Sequence, residues 1–442
     1  MKKLIGVFLC LWALYSSAQN ADIQREINLM NYEKALTLMG KDSKEATIIP
    51  FKIQALKGLN RYSEAISLLK GLKKNEPDNE QWNILLAECY KSSGNLYEAC
   101  KAYNDVLKKD PEHSYARLQL INCLHSVENY PEMVNVCHDF IKRDSCALAF
   151  RLLGQAYEGK QDFVNAFGCY NKAYRKDSTD YLSLALATNI MNNNKQYKDV
   201  VDVTEKYRRR DSTNVYVNQQ NAKAHYFSQN YPTAIRRYEQ LKKLGDHSFV
   251  TYCYLGISNY ITQDFYAAKE NLDTANILKP DDMYVLYYLA HSCVRTSWKK
   301  QGLKYMEQAI ELTSVPDTTM IWLYDGLVDC YSHGGSSQQQ ISALKKLYSY
   351  QPYPIYLYKI GCLCYYLKDI KEYSSYLNRY LATEPKNRKP KIINGKEVFT
   401  TYDDARKRLN DLKEDEFFKG NLSWEEFIKL KLKNEQKKTQ KE

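Results

Sequence analysis

Residues 82–111 read WNILLAECYKSSGNLYEACKAYNDVLKKDP. Ala99 in this stretch enters a predicted helix, and a small or apolar residue takes the same place in the segments before and after it. The equivalent positions are Ala65, Ala99, Met133, Ala166, Val200, Ala234, Ala268 and Gly302. Their successive spacings are 34, 34, 33, 34, 34, 34 and 34 residues. Such regular spacing indicates one array of repeats rather than several independent domains.

Further residues recur at fixed positions within the repeats. The tetratricopeptide repeat (TPR) signature places Trp, Leu-Gly, Tyr, Ala, Phe and Pro at fixed offsets. The quoted stretch carries Trp82, Leu86-Ala87, Tyr90, Gly94, Ala99, Tyr103 and Pro111, and a later one carries Tyr252, Leu255-Gly256, Phe265, Ala268, Leu272, Ala275 and Pro280. The chain therefore resembles the TPR family over residues 22–385. The resemblance implies an all-α, right-handed superhelical solenoid of about eleven helix-turn-helix repeats, the first of them degenerate.

Small residues recur at the eighth position of the unit, where a short side chain lets one helix approach another closely. They are Ala87, Gly154, Ala222, Gly256, Ala290, Gly326 and Gly361. Between units, Lys109–Pro111 and Arg143–Ser145 read Lys-Asp-Pro and Arg-Asp-Ser. A basic residue suits the end of a helix, and Asp, Ser and Pro suit turns and helix starts. We interpret these tripeptides as helix boundaries, not as a catalytic motif.

Residues 1–18 have the plan of a secretory signal peptide. Lys2 and Lys3 precede an apolar run, and Ser16-Ser17-Ala18 suits a cleavage site. The run is shorter than the about 20 residues that span a bilayer, so a retained membrane anchor is the weaker alternative. We expect cleavage after Ala18 in a bacterium of the Gram-negative type. The mature protein is then periplasmic or secreted, with outer-membrane association left open.

The remaining chain divides into three parts. Residues 19–385 are predicted to form the solenoid, 386–399 a linker, and 400–442 a helical cap followed by a basic tail. The predicted helices of the last part are Tyr402–Leu412 and Trp424–Leu432. Within the solenoid, Gly334–Ser337 reads Gly-Gly-Ser-Ser, an insertion that we expect to lengthen the loop between two helices.

Composition narrows the possible partners. The formal charge is +11 and is spread along the chain, and because export separates the protein from nucleic acid, we expect no nucleic-acid partner. Most of the 12 cysteines stand among apolar residues, as buried thiols do, although an oxidising compartment permits one or two bridges. Cys362 and Cys364 point to different faces of one helix and make a poor pair.

Catalytic signatures are absent from the sequence. It contains no phosphate-binding loop, dinucleotide fingerprint, nucleophile elbow or His-Glu-x-x-His motif. The seven histidines are scattered, with no two at metal-ligand spacing on one helix. We therefore predict a protein that is not an enzyme and that uses neither a cofactor nor a metal, although sequence alone leaves open a zinc site assembled across repeats.

The resemblance also implies a concave groove lined by the first helix of each repeat. The residues that we expect to contact a partner there are Asn122, Asn189, Lys223, Tyr226, Tyr260, Tyr287, His291 and Arg295. Tyrosine and arginine are enriched at binding surfaces, although many of the 39 tyrosines must simply fill space between helices. Some TPR proteins hold a peptide carboxylate with Lys and Asn, but Leu118 and Ala185 stand here where that clamp needs basic residues.

These observations favour a non-catalytic scaffold or adaptor in the cell envelope that binds a protein or peptide partner, whose identity they do not give. An alternative is a glycan-binding module, because aromatic faces also suit sugars. Another is an envelope-anchoring module that uses the Lys-rich tail for peripheral association.

Overall fold

The computed structural model of the protein describes residues 20–40, 48–312, 317–385, 392–393, 396–397, 399–419, 423–426 and 428. The predicted signal peptide, most of the predicted linker and the basic tail lie outside these ranges. By its internal contacts the chain divides into two compact units, Met1–Val200 and Val201–Glu442.

The first unit is a succession of antiparallel helices. Their bounds are α1 (20–28), α2 (Tyr32–Met39), α3 (Ile49–Gly58), α4 (Tyr62–Asn75), α5 (Glu80–Ser92), α6 (Leu96–Lys109), α7 (Ser114–Ser126), α8 (Tyr130–Arg143), α9 (Ala147–Gly159), α10 (Phe163–Lys176) and α11 (Tyr181–Asn193). The division between the units falls inside α12 (Tyr197–Arg208).

The second unit continues the same pattern. Its helices are α13 (Val215–Phe227), α14 (Tyr231–Lys243), α15 (Phe249–Ile261), α16 (Phe265–Leu278), α17 (Met283–Val294), α18 (Lys299–Glu311), α19 (Asp317–Gly334), α20 (Ser337–Tyr350), α21 (Pro354–Tyr366), α22 (Ile370–Leu381) and α23 (Thr401–Phe418). In the part of the chain that the structure describes, α1 to α22 make eleven consecutive pairs. The prediction of an all-α, TPR-type array of helix pairs is confirmed.

The turns inside five of the pairs share one construction. Asn95, Asn129, Asp162, Asp264 and Asp369 each accept a hydrogen bond from the backbone N–H three residues on, which caps the second helix of the pair. The residue before each cap has a positive φ, for example 78° at Gly94 and 61° at Gln161. This left-handed residue reverses the chain so that the two helices run antiparallel.

The repeated small residues lie where helices meet. Ala65, Ala99, Ala166 and Ala234 are fully buried. At the eighth position, a Cβ added to Gly154 would lie 2.5 Å from the ring of Tyr170. A side chain cannot be added at that distance unless the buried Tyr170 ring or its helix moves. The sequence interpretation of these positions as close-approach points is therefore correct.

Gly334–Ser337 does not form the longer loop that we expected. The inserted residues extend α19 to 18 residues, and only Gly335 and Ser336 separate it from α20. Ser336 and Gln339 form a capping box that fixes the start of α20. Because this start is fixed, the extra length is taken up as additional helix.

The structure describes part of the segment that we predicted to be a linker. Ile392–Ile393 (β1) and Lys396–Glu397 (β2) pair antiparallel, with Ile392 opposite Glu397. A short β-ladder thus lies within the segment that we predicted to be a linker.

The last helix covers the end of the second unit. α23 packs on α22, where Ala405 is fully buried and Tyr402 stacks on Tyr380 with ring centroids 4.4 Å apart. Most of the second predicted C-terminal helix, 424–432, lies outside the described residues. Across the ranges that are described, none of the helices combines the length and apolar character needed to cross a membrane.

Candidate functional site

Four of the predicted groove residues come together in the second unit. Tyr260 lies near the end of α15, Tyr287 and His291 lie one turn apart on α17, and Arg295 follows that helix. The ring centroids of Tyr287 and His291 are 4.4 Å apart, and those of Tyr260 and His291 are 6.0 Å apart. The guanidinium of Arg295 lies 5.8 Å from the Tyr260 ring centroid, in range of a cation–π interaction.

Asp329 on α19 joins this group and was not predicted. Its Oδ2 accepts a hydrogen bond of 2.7 Å from Arg295 Nη2 and lies 2.8 Å from Nδ1 of His291. His333, one turn along α19, has its Nδ1 3.7 Å from Oδ1 of Asp329. One carboxylate therefore holds together the ends of two successive first helices. The sequence did contain a signal for Asp329, because this residue lies one 34-residue repeat after Arg295.

The surroundings of Asp329 favour its ionised form. Burial by itself would raise the pKa of this carboxyl group, but the hydrogen bonds from His291 and Arg295 and the charge of Arg295 outweigh burial and lower the pKa to about 2. The carboxylate is consequently charged at neutral pH. Its role is to hold Arg295 and His291 in place.

Gly326 explains how the rings fit against α19. A Cβ at this position would lie 2.5 Å from the Tyr287 ring and 3.1 Å from His291 Nε2. Tyr287 also stacks on Trp322, with ring centroids 3.7 Å apart and an angle of 22° between the rings. The small residue at the eighth position therefore does more than allow helix packing, because it leaves the space that seats two predicted site residues. Trp322 is a further contact that the prediction missed.

The tyrosines of this group are packing residues as well as candidate binding residues. Burial raises the pKa of Tyr260 and of Tyr287, and His291 is only 3% exposed. This agrees in part with the alternative that tyrosines fill space between helices.

Lys223 and Tyr226 lie one turn apart on α13. Tyr226 packs against Tyr254 of α15, with ring centroids 4.5 Å apart. Burial raises the pKa of the Tyr226 hydroxyl and lowers the pKa of the Lys223 ammonium group. Both side chains are half-buried, so they support the helix face and present only part of their surface to a partner.

The two asparagines lie in the other compact unit. Asn122 is exposed on α7, and its backbone oxygen accepts a 3.0 Å hydrogen bond from the Ser126 hydroxyl. Asn189 is half-buried on α11. Neither belongs to the cluster around Asp329, and their role in binding stays a prediction.

Exposed apolar residues form a regular pattern beside the cluster. Successive first helices of the second unit contact one another, α13 with α15 and α15 with α17. Two positions of these helices carry exposed apolar side chains at 34-residue intervals. The first row is Tyr216, Val250 and Tyr284, which are 52%, 46% and 59% exposed. The second row is Phe227 and Ile261, each 39% exposed, with Arg295 completing it. We call these six residues the α13–α15–α17 face.

Between the two rows lie Lys223, Ile257 and His291, again 34 residues apart, of which the last two are buried. The face thus has a largely buried seam between an exposed apolar row and a second row of two exposed apolar residues and the half-buried Arg295. Arg295 of this face was among the predicted contact residues, whereas Phe227, Val250 and Ile261 were not. Their common spacing of one repeat is the signal that would have found them.

A cleft of about 450 Å³ lies beside Asp329, between α19, α20 and α21. Asp325, Ser332, Gln340, Tyr358 and Lys359 supply its polar lining. Charged groups of both signs and a phenol suit hydrogen bonding to a peptide. Among the described residues, no three His, Cys, Asp or Glu side chains come together as a metal site requires.

Comparison with known proteins supports the repeat assignment. Residues 56–119 match the family model described as a tetratricopeptide repeat. No curated protein matches the sequence.

Several solved structures are similar to the chain. One is Naa15/Naa10 bound to HypK-THB, with 14% identity, 84% of this chain and 64% of that chain covered, and a TM-score of 0.35. A second is YrrB, a TPR protein with an unusual peptide-binding site. The match has 17% identity, covers 43% of this chain and 98% of that chain, and has a TM-score of 0.36. A third is MamA of Desulfovibrio magneticus RS-1. The match has 16% identity, covers 46% of this chain and 97% of that chain, and has a TM-score of 0.31. The chain spans 64% of the length of the first of these proteins. The match over residues 56–119, together with eleven described helix pairs, supports a tetratricopeptide-repeat protein.

Proposed function

We propose that this protein is a non-catalytic adaptor of the cell envelope that holds a protein or peptide partner against the α13–α15–α17 face. The observation that carries the proposal is the pair of exposed rows on α13, α15 and α17, of which α13 contacts α15 and α15 contacts α17. Apolar residues that are grouped on a surface mark interaction sites more often than scattered ones do. Array-type repeats generally present such surfaces to other proteins.

The chemistry of the face suits a peptide. Tyr216, Tyr284 and Phe227 offer broad, rigid contact area, and Arg295 stands at the end of one row beside a fixed carboxylate. Aromatic and arginine side chains contribute most of the binding energy in protein interfaces. We therefore expect the partner to present apolar side chains to the two rows and an acceptor group near Arg295.

The test is recovery of the partner with matched variants. After mild cross-linking in cells, residues 19–442 are purified from solubilised envelope, and co-purifying proteins are identified by mass spectrometry. The double variant Tyr216→Ala, Tyr284→Ala should lower affinity for the dominant partner by about tenfold or more. Tyr266→Ala is the control, because Tyr266 is similarly exposed, at 60%, but lies on α16, a second helix of its pair. Equal losses in both variants, or no partner at all, would overturn the proposal.

The same variants address the glycan alternative. Saturable binding of an envelope polysaccharide, lost in the double variant and kept in Tyr266→Ala, would assign the face to sugars instead of a protein. Tyrosine rings on one face support that alternative, because sugars stack on aromatic surfaces.

The envelope location rests on residues 1–18. We expect the purified protein to begin at Gln19 when the full chain is expressed in a Gram-negative host, and to be released with the periplasmic fraction. Deletion of residues 2–18 should retain the protein in the cytoplasm. A full-length chain that keeps Met1 and stays in the cytoplasm would contradict the location while leaving the binding proposal intact.

A further inference from the structure

The cleft beside Asp329 begins where the α13–α15–α17 face ends. α17 contacts α19, and Arg295, the last residue of the second row, donates its hydrogen bond to Asp329, which lines the cleft. The other lining residues come from α19, α20 and α21. A segment bound along the face can therefore continue into the cleft, and the lining then decides which side chain enters.

Most hydrogen-bond donors of the lining are already engaged within the protein. The Ser332 hydroxyl donates to the backbone oxygen of Asp329 at 2.6 Å, and the Tyr358 hydroxyl donates to Asp404 Oδ2 at 2.5 Å. The amide nitrogen of Gln340 donates to a backbone oxygen of α19, 3.4 Å away. The oxygen atoms of the hydroxyl, phenol and amide side chains keep lone pairs that can still accept. The cleft consequently offers mainly acceptors.

Two carboxylates add negative charge to these acceptors. Asp325 and Asp329 lie one turn apart on α19, and both line the cleft. Asp325 is exposed and has no hydrogen-bond or ion-pair partner among the residues that the structure describes. Asp329 uses its Oδ2 for Arg295 and His291. Its Oδ1 lies 3.7 Å from Nδ1 of His333, beyond hydrogen-bonding distance, and stays available to a donor from a ligand.

Apolar side chains complete the lining. Val328 and Leu344 are 7% and 1% exposed, and Leu363 is half-buried. Lys359 also lines the cleft, but it is exposed, and its ammonium group lies 5.9 Å from the ring centroid of Tyr356, which is outside the lining. Apolar contacts next to a set of acceptors suit a side chain that has a long hydrocarbon stem and a cationic end.

We propose that the cleft binds a basic side chain, arginine or lysine, of the protein or peptide held by the α13–α15–α17 face. This rests on the proposed function only for the source of that side chain. A guanidinium or ammonium group donates several hydrogen bonds and accepts none, so it matches a lining whose own donors are largely occupied. Asp325 supplies the opposite charge, and Val328 and Leu344 contact the stem.

The experiment uses residues 19–442 and a synthetic probe, so that no natural partner is needed. The probe is the pentapeptide acetyl-Gly-Ala-Arg-Ala-Gly-amide, whose blocked ends carry no charge. Two matched peptides replace its arginine by lysine or by citrulline, which keeps the shape of arginine without the charge. Saturation-transfer NMR measures binding. We expect saturable binding of the arginine and lysine peptides, and binding of the citrulline peptide that is weaker by about fivefold or more.

Matched variants test whether Asp325 supplies the charge. Asp325→Asn should weaken binding of the arginine peptide by about fivefold, whereas Glu270→Gln should leave it unchanged. Glu270 is also an exposed carboxylate, but it lies on α16, outside the cleft. Because Asp325 is exposed, its replacement should leave the fold intact, which circular dichroism checks. A peptide with a benzophenone side chain next to the arginine should attach, on irradiation, within residues 325–363, the span of the lining.

The proposal would be overturned by absence of saturable binding, by equal binding of the arginine and citrulline peptides, by equal losses in the two variants, or by attachment only outside residues 325–363. Its failure can be told apart from failure of the proposed function. If the α13–α15–α17 face holds no partner, the basic peptides should still bind the cleft. If the cleft takes no basic side chain, the loss of partner expected for Tyr216→Ala, Tyr284→Ala is unaffected.

Discussion

Asp329 shows how one unpredicted residue can stabilise a set of predicted ones. Its pKa is lowered to about 2 in the folded protein, against an ordinary value of 3.8. A lowered pKa means that its contribution to stability is fully present above about pH 4 and is lost as the pH falls toward 2. The shift corresponds to about 2 kcal/mol at most. Because the side chain is 35% exposed, solvent screening reduces this to about 1 kcal/mol.

Asp329→Asn should therefore lower the free energy of unfolding by about 1 kcal/mol at pH 7, because Arg295 and His291 lose a charged acceptor. The difference from wild type should shrink as the pH is lowered through 4 to 2, as measured by urea unfolding. Asp325→Asn, an exposed neighbour on the same helix, removes the same charge and serves as control. A deficit that is constant over this pH range would show that the carboxylate does not act through its charge.

Replacing glycine by alanine should have opposite effects on the stability of the folded protein at Gly94 and at Gly168. Gly94 has a φ of 78° in the turn between α5 and α6, whereas Gly168 lies inside α10, where an added Cβ would meet nothing within 4 Å. Gly94→Ala should destabilise by about 1 kcal/mol, because an L side chain is strained in the left-handed region. Gly168→Ala should stabilise by about 0.5–1 kcal/mol through helix propensity. Thermal unfolding of the two variants measures the difference, and a shift of the same sign in both would refute this account.

At the scale of elements, deletion can test whether α23 caps the end of the array. Tyr373, Leu377 and Tyr380 of α22 are buried, and α23 packs on this helix. Removing residues 400–442 should uncover these side chains, lower the melting temperature and promote self-association, because the array loses its cap. Removing only residues 420–442 keeps α23 and is the matched control. Light scattering and circular dichroism compare the two, and identical behaviour would mean that α23 is not a cap.

The helices themselves were largely predictable, because the 34-residue period sets both their number and their small buried positions. The length of α19 was not, because Gly334-Gly335 favours a turn in isolation and the surrounding helices decide where it ends. The Ser336–Gln339 capping box was a readable signal of that end. In the candidate site, the grouping of Tyr260, Tyr287, His291 and Arg295 followed from their positions within the repeat, and their role in binding stays a prediction. Asp329 needed the additional step of comparing residues one period apart.

Over the whole molecule, contact between helices follows the order of the chain within each unit. α5 packs on α4 and α6, α6 on α7, and α15 on α14 and α16. A repeat array of this kind distributes its stability as local terms plus neighbour interfaces, without a single centre on which every element depends. It follows that damage to one repeat should remain close to that repeat.

Trp82→Ala tests this on the first unit. Trp82 is 2% exposed, and its indole nitrogen donates a 3.0 Å hydrogen bond to Glu76. Removing the indole side chain should lower the free energy of local unfolding around Trp82 by about 3–5 kcal/mol. Hydrogen exchange should then accelerate in α4 to α7 and remain at the wild-type rate in α17 to α22. Trp298→Ala, at a half-exposed site in the second unit, should leave α4 to α7 unaffected. Equal acceleration throughout the chain after Trp82→Ala would instead show that the molecule opens in one cooperative step, and local control of each repeat would have to be abandoned.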